Sequence, residues 1–302
     1  MEGRRLKRKV KMTGIILVAI LILVSLIRFT TDQFDLAKEK KVMIGFETLM
    51  DNKEVGVEEI IQYVNQNIDT VSRNDAATLV KGIERIQNAN LPKWEKRFEN
   101  EALQKELAQV YQENGWSLDD FKGIRDDKLK TIVVEAISNG YKVETAEGFF
   151  FPVIDYDFYD QYHQAVTLDL STYLEIMVVE SDRTPVKDAA LMISWEEILS
   201  RALRQEEFIK EYAASTQVEA MENLIKRYVT FALFGCNNTP LFSYENKEIV
   251  LEAKKAFLNH PWNEERGSFS ALMKEYLKVL KENEYKLTEE VDKFRKKAVG
   301  SF

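Results

Sequence analysis

The sequence predicts a mainly α protein: an N-terminal transmembrane helix followed by a multi-helix globular body with one small β-hairpin. Three observations predict it. Met12 to Ile27 is a run of sixteen residues without a charge, preceded by Arg4, Arg5, Lys7, Arg8, Lys9 and Lys11 and closed by Arg28. Beyond it, apolar residues recur every three or four positions in one stretch after another, the spacing of an amphipathic helix. Glycine (12) and proline (5) are too few in 302 residues for an all-β or collagen-like chain.

The uncharged run is read as an uncleaved signal anchor. At 1.5 Å per residue it covers about 24 Å, short of a hydrocarbon core of about 30 Å. Lys11 and Arg28 can lie along the apolar layer and lift their charges out of it, with Phe29 at the interface. Apolar residues surround the whole circumference, which a helix on the surface of a soluble body does not show. Cleavage needs small residues after the run, and Val24-Ser25-Leu26-Ile27-Arg28 is bulky and then charged. No cysteine ends the run, so a lipoprotein signal is excluded. The basic residues lie on the N-terminal side, which puts residues 1–11 in the cytoplasm, residues 12–29 across the membrane and the body outside.

Charge divides the chain in the same place. Residues 1–28 hold seven basic residues and one acid, leaving 35 basic and 49 acidic side chains beyond, a net of −14. An acidic body repels phosphates, so a nucleic acid partner is not expected. Cys236 is the single cysteine, so no disulfide within the chain is possible. In these respects the pattern resembles anchored surface proteins of Gram-positive bacteria.

Residues 30–56 are expected to be a membrane-proximal connector, helical over residues 32–50. Residues 57–140 read as an N-terminal helical block. Val57, Ile60, Ile61, Val64 and Ile68 form one stripe, and Ala76, Leu79, Val80, Ile83 and Ile86 form the next, with Ser72 placed to cap it. Asn90-Leu91-Pro92 is expected to end that helix and start another, which runs to Asn114 before Gly115. Leu129, Ile132, Val133, Ala136 and Ile137 make the last stripe of this block, ended by Asn139-Gly140.

Residues 141–302 are expected to hold the hairpin and a C-terminal helical block, as one domain with residues 57–140 or as a second. Tyr141 to Thr145 alternates, Ala146-Glu147-Gly148 can turn, and Phe149 to Ile154 is an apolar run, so the period is that of a hairpin. Helices are then expected over residues 155–166, 171–180, 195–212, 247–259, 268–283 and 288–298. One more follows Ser215 and ends at Gly235.

The densest collection of chemistry is Phe149 to His163. Asp157, Asp160 and His163 follow one another at three-residue intervals, so one helical face would gather two carboxylates and an imidazole, a donor set for a divalent cation. Phe151, Tyr156, Tyr159 and Tyr162 in the same stretch offer ring faces beside carboxylates, a chemistry that suits a glycan or a partner. The competing structural reading has these rings anchoring the hairpin while the acids cap the next helix.

A second stretch is Glu180-Ser181, then Pro185, then Ala190-Leu191-Met192. It resembles the catalytic-glutamate stretch of lytic transglycosylases over about fifteen residues. The glycines that family has before Leu-Met, and the glutamine after it, are absent here, where Ile193 follows. The resemblance implies Glu180 as the acid that protonates a glycosidic oxygen, a role that requires a raised pKa in an apolar site.

No His-Glu-x-x-His, Gly-x-Ser-x-Gly or phosphate loop occurs, and no cofactor is expected. The function expected is therefore that of a membrane-anchored, extracytoplasmic protein of the bacterial envelope. It would bind or scaffold an envelope protein or a cell-wall polymer without catalysing a reaction. The alternatives are a wall glycan-active enzyme using Glu180, and a glycan- or cation-binding module.

Overall fold

The computed structural model describes residues 36–52, 54–115, 121, 123–262 and 267–302. The expected basic stub, the expected membrane anchor and the first residues of the expected connector lie outside them. No helix among the described residues is long and apolar enough to cross a membrane. The described chain is mainly helical with a small antiparallel hairpin.

The described residues fall into two compact units that divide between Ile86 and Gln87. The first unit contains helix α1 (residues 36–51), α2 (Val57–Asn67), a short 3-10 turn and the first half of α3 (Arg73–Phe98). The predicted stripes are the buried ones: Val57, Ile60, Ile61 and Val64 on α2, then Ala76, Leu79, Val80 and Ile83 on α3. Ser72 caps α3, its Oγ accepting from the Asp75 N–H at 3.4 Å. Phe46 of α1 packs beside Tyr63, whose hydroxyl donates to the Val42 carbonyl at 2.8 Å.

The second unit begins with a correction. α3 does not stop at Asn90-Leu91-Pro92 but continues to Phe98 with Pro92 inside it. Proline removes one helical hydrogen bond and crowds the preceding turn, which normally ends a helix. Here Trp94 and Phe98 are buried on the far side of Pro92, so packing holds the helix together past it. The break comes at Asn100, whose side chain accepts from the Leu103 N–H at 3.0 Å and starts α4 (Glu101–Glu113).

α5 (Asp127–Ser138) leads into β1 (Tyr141–Ala146) and β2 (Phe149–Ile154), paired in the register Tyr141↔Ile154, Glu144↔Phe151 and Ala146↔Phe149. Glu147 and Gly148 both have positive φ, 50° and 78°, the turn that matches strand twist in a two-residue hairpin loop. Strand alternation gives the ribbon two faces. Tyr141, Val143, Phe150 and Ile154 are buried, while Lys142, Glu144, Phe151 and Val153 lie on the other, half-exposed face.

The expected helix over residues 155–166 is instead a 3-10 helix, Tyr156–Tyr162. Its aromatic residues explain why. Tyr156, Tyr159 and Tyr162 are spaced by three, so a helix of three residues per turn puts all three rings on one face, and all three are buried. α6 (Leu168–Asp182) is longer than the expected 171–180.

Two further hairpins of two-residue strands were not expected from the sequence: β3 (Val186–Lys187) with β4 (Ala190–Leu191), and β5 (Gly235–Cys236) with β6 (Thr239–Pro240). Between them lie α7 (Trp195–Glu211), capped by Ser194, and α8 (Val218–Phe234), which pack against each other. Gly235 ends α8 at φ 72°, and a side chain there would run into the backbone of residues 239–241.

α9 (Leu251–Asn259) begins later than the expected residue 247, because Glu248 and Ile249 pair with Lys286 and Phe242 as β-bridges. The Ile249 N–H donates to the Tyr285 carbonyl at 2.9 Å, and the Leu287 N–H to that of Lys247 at 2.7 Å. α10 (Ser268–Glu282) and α11 (Glu289–Ser301), the latter capped by Thr288, complete the chain.

Candidate functional site

The half-exposed face of the hairpin forms one wall of a groove of about 620 Å³. Glu144, Phe151 and Val153 come from the hairpin, Met177, Glu180 and Ser181 from the last turns of α6, and Val186, Lys187 and Asp188 from the β3 hairpin. Tyr156 and, from α8, Arg227 also line it. Two ion pairs tie the walls together: Lys142 to Asp182 at 2.7 Å and Glu144 to Lys187 at 3.2 Å. A second groove of about 620 Å³ lies beyond the hairpin tip, lined by Tyr111, Gly148 and Met192. It shares Ala146, Lys187 and Asp188 with the first, so the two adjoin.

Glu180 is the buried acid of this groove, its side chain 10 % exposed. Three helices converge on it. Tyr228 of α8 donates its hydroxyl to the carboxylate, 2.7 Å from Oε1 and 2.8 Å from Oε2. Arg201 of α7, 6 % exposed, reaches Oε1 at 3.4 Å. Arg201 spends its stronger hydrogen bonds elsewhere: on Glu197 Oε1 at 2.5 and 3.1 Å, and on the Arg183 carbonyl at 2.9 Å. The Arg183 guanidinium closes the network on Glu197 at 2.8 Å.

Burial pushes the Glu180 carboxyl above the usual carboxylate range, against the opposing pull of the Tyr228 hydrogen bond and the Arg201 charge. Tyr228 is pushed up too, by burial first and by the Glu180 charge second. The result is an acid that retains its proton to higher pH than an exposed glutamate and that borders a groove.

The structure separates the other residues singled out in the sequence. Asp160 pairs with His163, Oδ1 to Nε2 at 3.4 Å, and His163 Nδ1 meets Ser171 Oγ at 2.8 Å. Asp157 belongs to a different group, with Asp155 and Asp182, whose ligand oxygens lie within 4.8 Å of one another. So the side chains divide, Asp160 turning to His163 and Asp157 to Asp155 and Asp182, although their three-residue spacing puts Asp157 and Asp160 in line on the 3-10 turn. Lys142 is the cation among these carboxylates, 2.7 Å from Asp182 and 3.7 Å from Asp155.

Of the four aromatic residues, Phe151 and Tyr156 line the groove. Tyr159 and Tyr162 are core residues, 0 % and 2 % exposed, and present no ring face to a ligand. Tyr159 donates its hydroxyl to the Gln87 side-chain carbonyl, and the Gln87 amide donates to the Asn139 carbonyl at 2.8 Å. The Tyr141 hydroxyl donates to the Gln87 backbone carbonyl at 2.7 Å, so one buried glutamine ties α3 to the start of the hairpin and to the aromatic turn.

Arg201, Tyr228 and Gln205 escaped the sequence reading. They lie far from Glu180 along the chain, and no motif joins them. One signal was present. Ile198, Arg201, Ala202, Gln205 and Phe208 occupy one helical face of α7 and all are buried, so two polar residues interrupt an apolar stripe. No family model matches the chain, and neither a curated protein nor a solved structure matches it.

Proposed function

We propose that this chain is a single-pass protein of the bacterial cell envelope, with its N-terminus in the cytoplasm. Its body lies outside the membrane and binds an extended, uncharged wall polymer. The groove beside the hairpin carries this reading. Phe151, Val153 and Met177 give it apolar contact surface, and two of its charges, Glu144 and Lys187, pair with each other, while Asp188 and Arg227 remain to hydrogen-bond a ligand's hydroxyls. Such a seat favours a ligand that stacks and hydrogen-bonds over one that brings charge. The adjoining groove past the hairpin tip supplies length for a polymer. The uncharged run after the basic stub supports the tether.

The test is sedimentation of the full-length protein, in detergent, with insoluble cell-wall glycan. Retention is expected, and Phe151→Ala is expected to weaken it about threefold to tenfold, the worth of one aromatic contact. A wild-type protein that stays in the supernatant, or a variant retained equally well, rejects the proposal. A reporter fused after Phe302 tests the topology and is expected to report from outside the cytoplasm.

A second reading is favoured by the raised pKa of Glu180 at the groove wall: cleavage of the bound glycan with Glu180 as proton donor. It requires wall-glycan turnover by the full-length protein that is lost in Glu180→Gln. Equal turnover by both proteins, or none by the wild type, leaves binding as the function.

A further inference from the structure

The two grooves beside the hairpin meet at three residues: Ala146, Lys187 and Asp188 line both. Ala146 ends β1, and the other two lie at the turn of the β3–β4 hairpin, so the passage runs between the tips of two hairpins. The second tip is held in place. Asp188 and Ala189 have positive φ, 50° and 57°, the pair of conformations that closes a two-residue turn. Both carbonyls accept from Asn238, that of Asp188 from the side-chain amide at 2.7 Å and that of Ala189 from the backbone N–H at 2.8 Å. Lys187, fixed to Glu144 at 3.2 Å, ties this hairpin to β1.

The passage joins two surfaces of the same kind. The first groove has Phe151, Val153 and Met177, and the second has Tyr111 and Met192, the latter 55 % exposed. Between them the Asp188 side chain is exposed and, among the described residues, makes no hydrogen bond or ion pair. A free carboxylate only accepts, so it suits hydroxyl donors and repels an anionic chain. Each groove measures about 620 Å³. That is the room of roughly twenty waters at about 30 Å³ each, about as many as the non-hydrogen atoms of two linked sugars. Ala146 is small and half-buried, and a bulkier residue there would stand in the path of a chain passing from one groove to the other.

We propose that one glycan chain occupies both grooves at once, crossing between the hairpin tips at Ala146 and Asp188, so that the unit recognised is a run of about four sugars rather than one or two. This register rests on the groove binding wall glycan, and it adds a length requirement set by the crossing and by Met192 beyond it.

The experiment is calorimetry of the full-length protein, in a detergent without a sugar headgroup, with soluble β-1,4-linked N-acetylglucosamine dimer, tetramer and hexamer. The tetramer and hexamer are expected to bind more tightly than the dimer by about tenfold or more, because the second groove is then engaged by a chain already held in the first. Ala146→Phe is expected to remove most of that gain while leaving dimer affinity within about twofold. Met192→Ala, at an exposed position, is expected to reduce the gain in the same way and serves if Ala146→Phe fails to fold. Equal affinity for dimer and hexamer overturns the proposal, as does a length gain kept by Met192→Ala or by a folded Ala146→Phe. In those cases dimer binding that falls in Phe151→Ala leaves the groove reading standing. No binding at any length rejects both.

Discussion

The hydroxyl of Tyr228 stands 2.7 and 2.8 Å from the two carboxylate oxygens of Glu180, a residue 48 positions earlier in the chain. A phenol has one proton to give, so it cannot satisfy both oxygens of a carboxylate at once. A proton held on Glu180 relieves that shortage, and burial of the group favours the same outcome.

Tyr228→Phe therefore removes the principal donor to a buried acid. We expect a loss of about 1–3 kcal/mol in urea unfolding. We also expect the Glu180 titration, followed by ¹³C signals of its carboxyl, to move further up, because the lost hydrogen bond was what pulled it down. A carboxyl that titrates higher in the folded chain than in the unfolded one contributes stability below the unfolded value and loses it as pH rises through the folded one. The deficit of Tyr228→Phe should accordingly be larger at neutral pH than in mild acid. A deficit independent of pH would show that Glu180 does not titrate in this way.

Gln87→Leu deletes a residue that is 0 % exposed and that holds three segments together. The Asn139 carbonyl and the Tyr159 hydroxyl lose their hydrogen bonds to its side chain. About 3 kcal/mol or more of stability should go with them, read from the unfolding midpoint. A change under 1 kcal/mol would mean that the glutamine is dispensable.

Pro92→Ala should act in the opposite direction. The proline is exposed and lies inside an unbroken helix, where it costs up to about 3 kcal/mol relative to alanine. The more flexible unfolded chain returns part of this, so a gain of about 1–2 kcal/mol is expected. Slower amide exchange in the turn around residue 92 would accompany it. A destabilised variant would show that the proline fits a bend that the fold needs.

Lys142→Met removes the ammonium from among Asp155, Asp157 and Asp182. Burial, then the charges of Asp182 and Asp155, already raise Asp157, and Lys142 opposes them. Without the lysine the three carboxylates repel at neutral pH, and about 1 kcal/mol should be lost. Because a raised carboxyl binds its proton more tightly in the folded state, acid should restore most of that loss. Melting curves at pH 4.5 and pH 7.5 compare the two conditions. A loss that persists at pH 4.5 would place the effect in packing of the lysine stem instead.

Local rules made much of this fold legible. The stripes of α2 and the start of α3, the caps at Ser72 and Thr288, the stop at Gly235 and the hairpin with its Glu147-Gly148 turn all follow from neighbours within a few residues. The misjudged elements are those decided at a distance. Pro92 stays helical because Trp94 and Phe98 are buried beyond it, and Glu248 and Ile249 stay outside α9 because Lys286 and Phe242 pair with them. The candidate site was half visible. Glu180, Phe151 and Tyr156 were picked out and lie on one groove, while Arg201 and Tyr228 became significant only once α6, α7 and α8 were brought together. Side-chain partners were not legible either: Asp160 meets His163, while Asp157 lies with Asp155 and Asp182, the latter 25 residues further along the chain.

Glu180 borders both the groove and a smaller hollow between α6 and α7. One titratable group is thus shared by the two hollows. A ligand in either hollow that favours one protonation state of Glu180 must, by thermodynamic linkage, bind with an affinity that changes with pH through that group. The pH at which this one side chain titrates would then report on what either hollow holds.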